Sequence, residues 1–146
     1  MSPKEKRRQK LIHVYNKTRA TSIATEAVRA EGYWERLVGL LGKTSKWARL
    51  GAGLWIVPCN SVHTIGMLFP IDLIFVGKNK EVVRVEEGVR PFRISAVCLK
   101  AKSILELPAH TVQRTGTRVG DALEISSAED ALPEQLRNDA NIPTTA

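Results

Sequence analysis

Residues 71–87, "IDLIFVGKNKEVVRVEE", constrain the fold more than any other stretch of this chain. An apolar run over 71–76, a polar "GKNK" break and a valine-rich second run read as a β-hairpin. A hairpin alone is marginal in water, so this one must bury a face against further strands. The chain supplies them in short pieces: "LIHVYN" at 11–16, "GAGLWIVP" at 51–58, "SILELP" at 103–108 and "DALEIS" at 121–126. The segment "TSIATEAVRA" at 21–30 fits a strand or a helix. One segment has clear helical spacing. In "GYWERLVGLLGK", residues 32–43, Trp34, Leu37, Leu40 and Leu41 form one apolar stripe, and Gly42 suits the left-handed residue that ends a helix. Six or more short strands with one helix predict a mainly β, β-rich α+β fold. It is a single-domain sandwich or barrel with one packed helix. Repeated βαβ units are absent, which excludes a Rossmann-like or flavodoxin-like sheet.

Length and composition agree with this architecture. A chain of 146 residues with 43% hydrophobic and 25% charged residues is ordinary for one soluble globular domain. The expected domain spans 11–125. Residues 1–10, with five Lys/Arg against one Glu, read as a disordered basic arm. Residues 126–146, polar and holding four acids against one Arg, read as a mostly disordered tail. The net charge of +7 suits weak, salt-sensitive attraction to polyanions, without the motifs of sequence-specific nucleic-acid binding. No apolar run approaches the roughly 20 residues of a membrane span, and no signal core follows the basic start. The expectation is therefore a cytoplasmic protein. Two cysteines, Cys59 and Cys98, are too few for a disulfide scaffold, and sequence leaves their pairing open.

Chemistry-bearing residues concentrate in "PCNSVHTIGMLFPID", residues 58–72. Cys59, His63 and Met67 follow the residue order of a blue-copper loop, and His13 could supply a second imidazole. The glycines and prolines that shape such loops are sparse here, and no closing ligand for zinc is evident. Core packing accounts for Cys59 and Met67, so no metal or cofactor is expected. Cys59 and His63 could also form a nucleophile and base, although Pro58 and Trp55 favour a buried, inert thiol. Asp72 and Glu106 each interrupt an apolar strand, where a buried carboxylate needs a partner. They read as a possible acid/base pair or, with more weight, as structural partners of bases such as Arg36.

The segments "GLWIVPCNSVHTIGMLFPIDLIFVGKNKEVVRVEEGVRP" and "SAVCLKAKSILELPAHTVQRTGTRVGDALEI", in this order, resemble the domain-of-unknown-function-192 family of small bacterial and archaeal proteins. The resemblance covers nearly all of 12–125, and "HTIGMLFPIDLIFV", "ILELPA" and "GDALEI" are its most specific parts. It implies a compact, jelly-roll-like β domain and no established activity, cofactor or partner. Pro70, Asp72, Glu106, Gly120 and Asp121 match the family pattern. His63 and Thr64 stand where a Trp-Met pair is common, so Cys59 and His63 read as a subgroup feature. His110 stands where the family usually has glycine. Either the turn differs there, or a left-handed histidine bears a cost of about 1 kcal/mol.

The resulting expectation is a small-ligand or partner-binding accessory domain. Its polar pocket would lie near 59–72, lined by Cys59, His63, Thr64, Asp72 and Glu106. This requires the central segment and the later acidic strand to share one wall. The alternatives are an enzyme using the Cys/His or carboxylate pair, and a polyanion binder using the basic arm.

Overall fold

The computed structural model describes residues 11–30, 49–127 and 130. The helix expected over 32–43 and the basic arm lie outside these residues, as does nearly all of the tail. Seven strands form one mainly β sheet: β1 Leu11–Asn16, β2 Thr21–Ala30, β3 Ala52–Ile56, β4 Ile71–Val76, β5 Val82–Val89, β6 Ser103–Pro108 and β7 Leu123–Ser127. Their order is β5-β4-β6-β3-β2-β1-β7. The sandwich-or-barrel expectation resolves as a single curled sheet, a half-barrel with one domain's core. β7 runs to Ser127, two residues past the expected boundary.

The hairpin of β4 and β5 forms as read, with Val76 opposite Val82 across the 77–80 turn. β2 is a strand, and it pairs with β3 in parallel, Val28 opposite Leu54. All other strand pairs are antiparallel. A parallel pair cannot close through a tight turn, and Ala30, where β2 ends, and Ala52, where β3 begins, are well separated in the chain.

The two faces of the sheet build two cores. Inside the curl, Val14, Ile23, Trp55, Ile74, Leu105 and Leu107 pack together. The five-residue helix α1, Thr111–Thr115, carries Val112 into this cluster. On the outer face, Leu54, Ile56, Leu73, Phe75 and Ile104 are covered by Val62, Met67 and Ala101 from two loops, 57–70 and 90–102. β4 and β6 are thus buried on both faces, which is why "IDLIFV" reads as a continuous apolar run rather than an alternation. Each fully buried Leu, Ile or Phe there contributes about 1.5–3 kcal/mol.

The outermost strands meet where they begin. The Val82 N–H donates to the Asp121 carbonyl (2.9 Å), Gly120 N–H to the Val82 carbonyl (2.8 Å) and Leu123 N–H to the Lys80 carbonyl (2.9 Å). These bonds seal one end of a seam that would otherwise leave two open edges.

Candidate functional site

The five residues of the expected pocket do not converge. Asp72 faces Leu107 across the β4–β6 pair, whereas Glu106 faces Leu73. Side chains on a strand alternate between faces, so the two carboxylates point to opposite sides of the sheet. Asp72 is thereby separated from Glu106, which lies on the β6 face that loop 57–70 covers.

Asp72 is consumed by the fold. It is 1% exposed, and its Oδ1 accepts the Gly88 N–H while Oδ2 accepts the Val112 N–H, both at 2.9 Å. Gly88 has φ 58 and sits where the β4–β5 register slips between Ile71 and Leu73. One oxygen therefore holds a bulge, and the other satisfies an orphan donor in the first turn of α1. That turn needs an outside acceptor, because His110, the residue preceding the helix, makes no side-chain cap. His110 adopts φ 71, so of the two alternatives left open for it the left-handed, strained one holds.

Glu106 is buried without a comparable partner. Its Cα neighbours across the ladders are Leu54 and Leu73. Among the described residues its Oε2 has no hydrogen-bond partner. Burial pushes its carboxyl up from the ordinary 4.5 to about 8, so it is mostly protonated at neutral pH. Arg36, considered above as an ion-pair partner, lies outside the described residues.

Thr64, Cys59 and His63 belong to the outer loop layer. Thr64 is buried and pins loop 57–70 to loop 90–102. Its hydroxyl donates to the Arg90 carbonyl (2.7 Å) and accepts the Arg93 N–H (2.8 Å). Backbone bonds continue the pairing: Thr64 N–H to Arg93 O, Ser95 N–H to Val62 O, and Cys98 N–H to Asn60 O, at 2.8–2.9 Å. His63 lies opposite Ile94 in this ladder and is exposed. The Cys59 thiol donates to the Ser61 carbonyl at 3.1 Å. Cys59 and Cys98 are both half-buried and are not joined in a disulfide. Met67 is core, and His13 pairs with the Ser22 hydroxyl on β2 at 2.8 Å. Among the described residues, no three His, Cys, Asp or Glu side chains gather as a metal set. A shallow hollow of about 300 Å³ opens between the two loops, lined by Pro58, Cys59, Asn60, Leu99, Ala101 and Lys102. Of the five expected residues it includes Cys59 alone.

The zipped loops present a second, unforeseen feature. Ile65, Leu68, Phe92, Ile94, Val97 and Leu99 are large apolar residues exposed by 48–82%. Alternation along the ladder turns Val62, Thr64 and Ser95 inward and leaves Ile65, Phe92 and Ile94 outward. All six lie on two loops that hydrogen-bond to each other, whereas single exposed apolar residues scattered over a surface are ordinary.

With the geometry in place, comparison with known proteins gives the family. The sequence model of DUF192, described as an uncharacterised ACR, matches residues 14–125. The chain belongs to the DUF192 family. A UPF0127 protein of Pyrococcus furiosus is 30% identical over 114 residues, 75% of this chain and 94% of the relative. A UPF0127 protein of Thermococcus sibiricus is 31% identical over 78 residues, 52% of this chain and 50% of the relative. Two crystal structures share the fold. One is a Novosphingobium aromaticivorans protein of unknown function, with TM-score 0.61 and 20% identity, covering 78% of this chain and 83% of that one. The other is a Sinorhizobium meliloti protein whose description proposes a transcription regulator. Its TM-score is 0.62 and its identity 19%, over 77% of this chain and 90% of that one.

One more polar cluster of this DUF192 domain escaped the sequence reading. Asp121, 2% exposed, accepts from Asn16 Nδ2 (2.9 Å), Arg19 Nε (3.1 Å) and the Arg118 N–H (2.9 Å). Burial alone would raise its pKa, but these donors and the Arg19 charge outweigh it and hold the carboxyl below the usual range. The cluster secures the β1–β7 seam. Its signal was the strand-ending Asn16 together with the "GD" of the family pattern. The exposed loop residues had a weaker signal, since apolar letters are normally read as core. Their clue was the absence of any acid from 57–71 and from 88–105.

Proposed function

We propose that this DUF192 domain is a binding module whose recognition face is the layer formed by loops 57–70 and 90–102. The observation carrying the reading is the set of six exposed large apolar side chains on two loops that hydrogen-bond to each other. Val62, Met67 and Ala101 of the same loops are anchored in the outer core, so the face is preorganised. Thr64 supports it from within as a structural clasp rather than a contact. Incorporating a photoreactive benzophenone side chain at position 94, and at exposed position 124 on β7 as control, tests this in cells. Adducts at 94 well in excess of those at 124 are expected. Equal labelling, or none at 94, overturns the reading.

A second reading concerns a small polar ligand in the hollow beside Cys59, Asn60 and Lys102. Its volume of about 300 Å³ lies at the lower end of small-molecule sites. Thermal shifts with a metabolite panel that disappear in Lys102→Ala would support it. A panel without shifts in well-folded protein would count against it.

A further inference from the structure

We infer that the occupant of the loop face is the surface of an anionic phospholipid bilayer, which rests on the recognition face proposed above and names its partner. The argument begins with charge. Residues 57–71 and 88–105 together contain Arg90, Arg93, Lys100 and Lys102 and not one Asp or Glu. All four bases are exposed. They alternate along the chain with the exposed apolar residues, in the order Arg90, Phe92, Arg93, Ile94, then Leu99, Lys100, Lys102. Apolar side chains that enter the acyl boundary, flanked by bases that reach lipid phosphates, are what interfacial binding requires.

The backbone fits that setting. Loop segments pressed into a headgroup layer lose water, and unpaired N–H and C=O groups are then costly. Here the two loops pair with each other from Asn60–Cys98 to Thr64–Arg93, and the Thr64 hydroxyl takes two further backbone groups. The face can therefore dip into the interface with these groups satisfied. No helix of the described residues is long and apolar enough to cross a membrane, so contact would be peripheral.

A second copy of the chain fits less well. A two-fold interface brings like patches together, which would set four bases against four bases in a protein of net charge +7. An acidic, apolar peptide shares the chemistry of the lipid surface and becomes an outcome of the test.

The test is flotation of the full chain with vesicles of phosphatidylglycerol and phosphatidylcholine in equal parts, and with phosphatidylcholine alone. Binding to the anionic vesicles is expected, with weak binding to the neutral ones. It should fall strongly between 0.1 M and 1 M salt, where the screening length drops from about 10 Å to about 3 Å. Each base near the surface contributes about fivefold to partitioning, so Arg90→Gln/Arg93→Gln/Lys100→Gln should lower it at least tenfold. Phe92→Ser/Ile94→Ser should abolish it. Thermal melts of both variants should match the parent, since all these side chains are exposed. Arg7→Gln/Arg8→Gln in the basic N-terminal segment should bind within about threefold of the parent. If that variant loses binding while the loop variants keep it, the inference is overturned. Failure to float with anionic vesicles also overturns it; benzophenone adducts to a protein at position 94 would then leave the recognition face standing with an acidic or other protein partner. Concentration-dependent dimerisation lost in Phe92→Ser/Ile94→Ser would replace the bilayer with a second copy. Failure to float together with the absence of adducts at 94 removes both proposals.

Discussion

Glu106→Gln should erase a pH dependence that the parent protein carries through its whole neutral range. Glu106 lies between Leu54 and Leu73, and its folded carboxyl is raised from 4.5 to about 8 by burial. A group with a raised folded pKa binds its proton more tightly in the native state. The folded protein is therefore most favoured below the unfolded value and loses stability as pH rises toward the folded one. At about 1.4 kcal/mol per unit, the rise from 4.5 to about 8 amounts to a loss of about 5 kcal/mol across that window. Roughly 3 kcal/mol of it has been lost by pH 7. That is a large part of a domain's usual 5–15 kcal/mol. Gln has the same shape and never ionises. The assay is urea unfolding of parent and Glu106→Gln from pH 4.5 to pH 9. The stability of the variant minus that of the parent should grow by about 3 kcal/mol up to pH 7 and level off above pH 8. Other titrating groups cancel in this difference. An offset from the amide's own unmet donors would be constant with pH, so the slope carries the test. Parallel curves, with a difference steady to within about 0.5 kcal/mol, would refute burial as the force acting on this carboxyl.

Three further outcomes follow from the clasps and turns. Asp72→Ala removes the acceptor of two buried or part-buried N–H groups and should cost about 2–4 kcal/mol by urea melts, whereas an exposed control such as Glu124→Ala should stay within about 0.5 kcal/mol. His110→Gly relieves a left-handed residue at φ 71 and should stabilise by about 1 kcal/mol, read as a rise in melting temperature. Asp121→Asn should destabilise at pH 7. Because the native Asp121 carboxyl is held low, that deficit should shrink as pH falls below the ordinary value of 3.8, a comparison that circular dichroism melts between pH 3 and 7 can make.

The fold was more legible than the site, for reasons that can be assigned to particular residues. β4 and β6 declared themselves because strands buried on both faces are largely continuous in apolar letters, and β5 followed from the "GKNK" break after β4. β2 did not, since its buried residues Ile23, Ala24, Ala27 and Ala30 have the spacing of a helix face. Two register slips against β1, flanking Val14, insert extra residues on β2 and break the strand alternation. The parallel β2–β3 pair is a long-range choice that no local pattern records. For the site, alternation correctly separated Glu106 from Leu105 and Leu107, but the face occupied by Asp72 depended on the β4–β6 register. That register sets Asp72 against Leu107. For His110 the sequence posed only a choice, a different turn or a strained histidine, and φ 71 decides it. The exposed apolar loop layer was hidden because exposed and buried isoleucines look alike until the loops are seen to pair.

The sheet's first and last strands lie side by side, with Ile12 opposite Ser127. The polypeptide therefore enters and leaves this architecture at neighbouring points, about 5 Å apart across the ladder. Such a layout suits a cassette, because it can be spliced into a surface turn of a host protein without prising that turn open. Labels placed at Ile12 and at Ser127 would then sit at the same corner of the sheet.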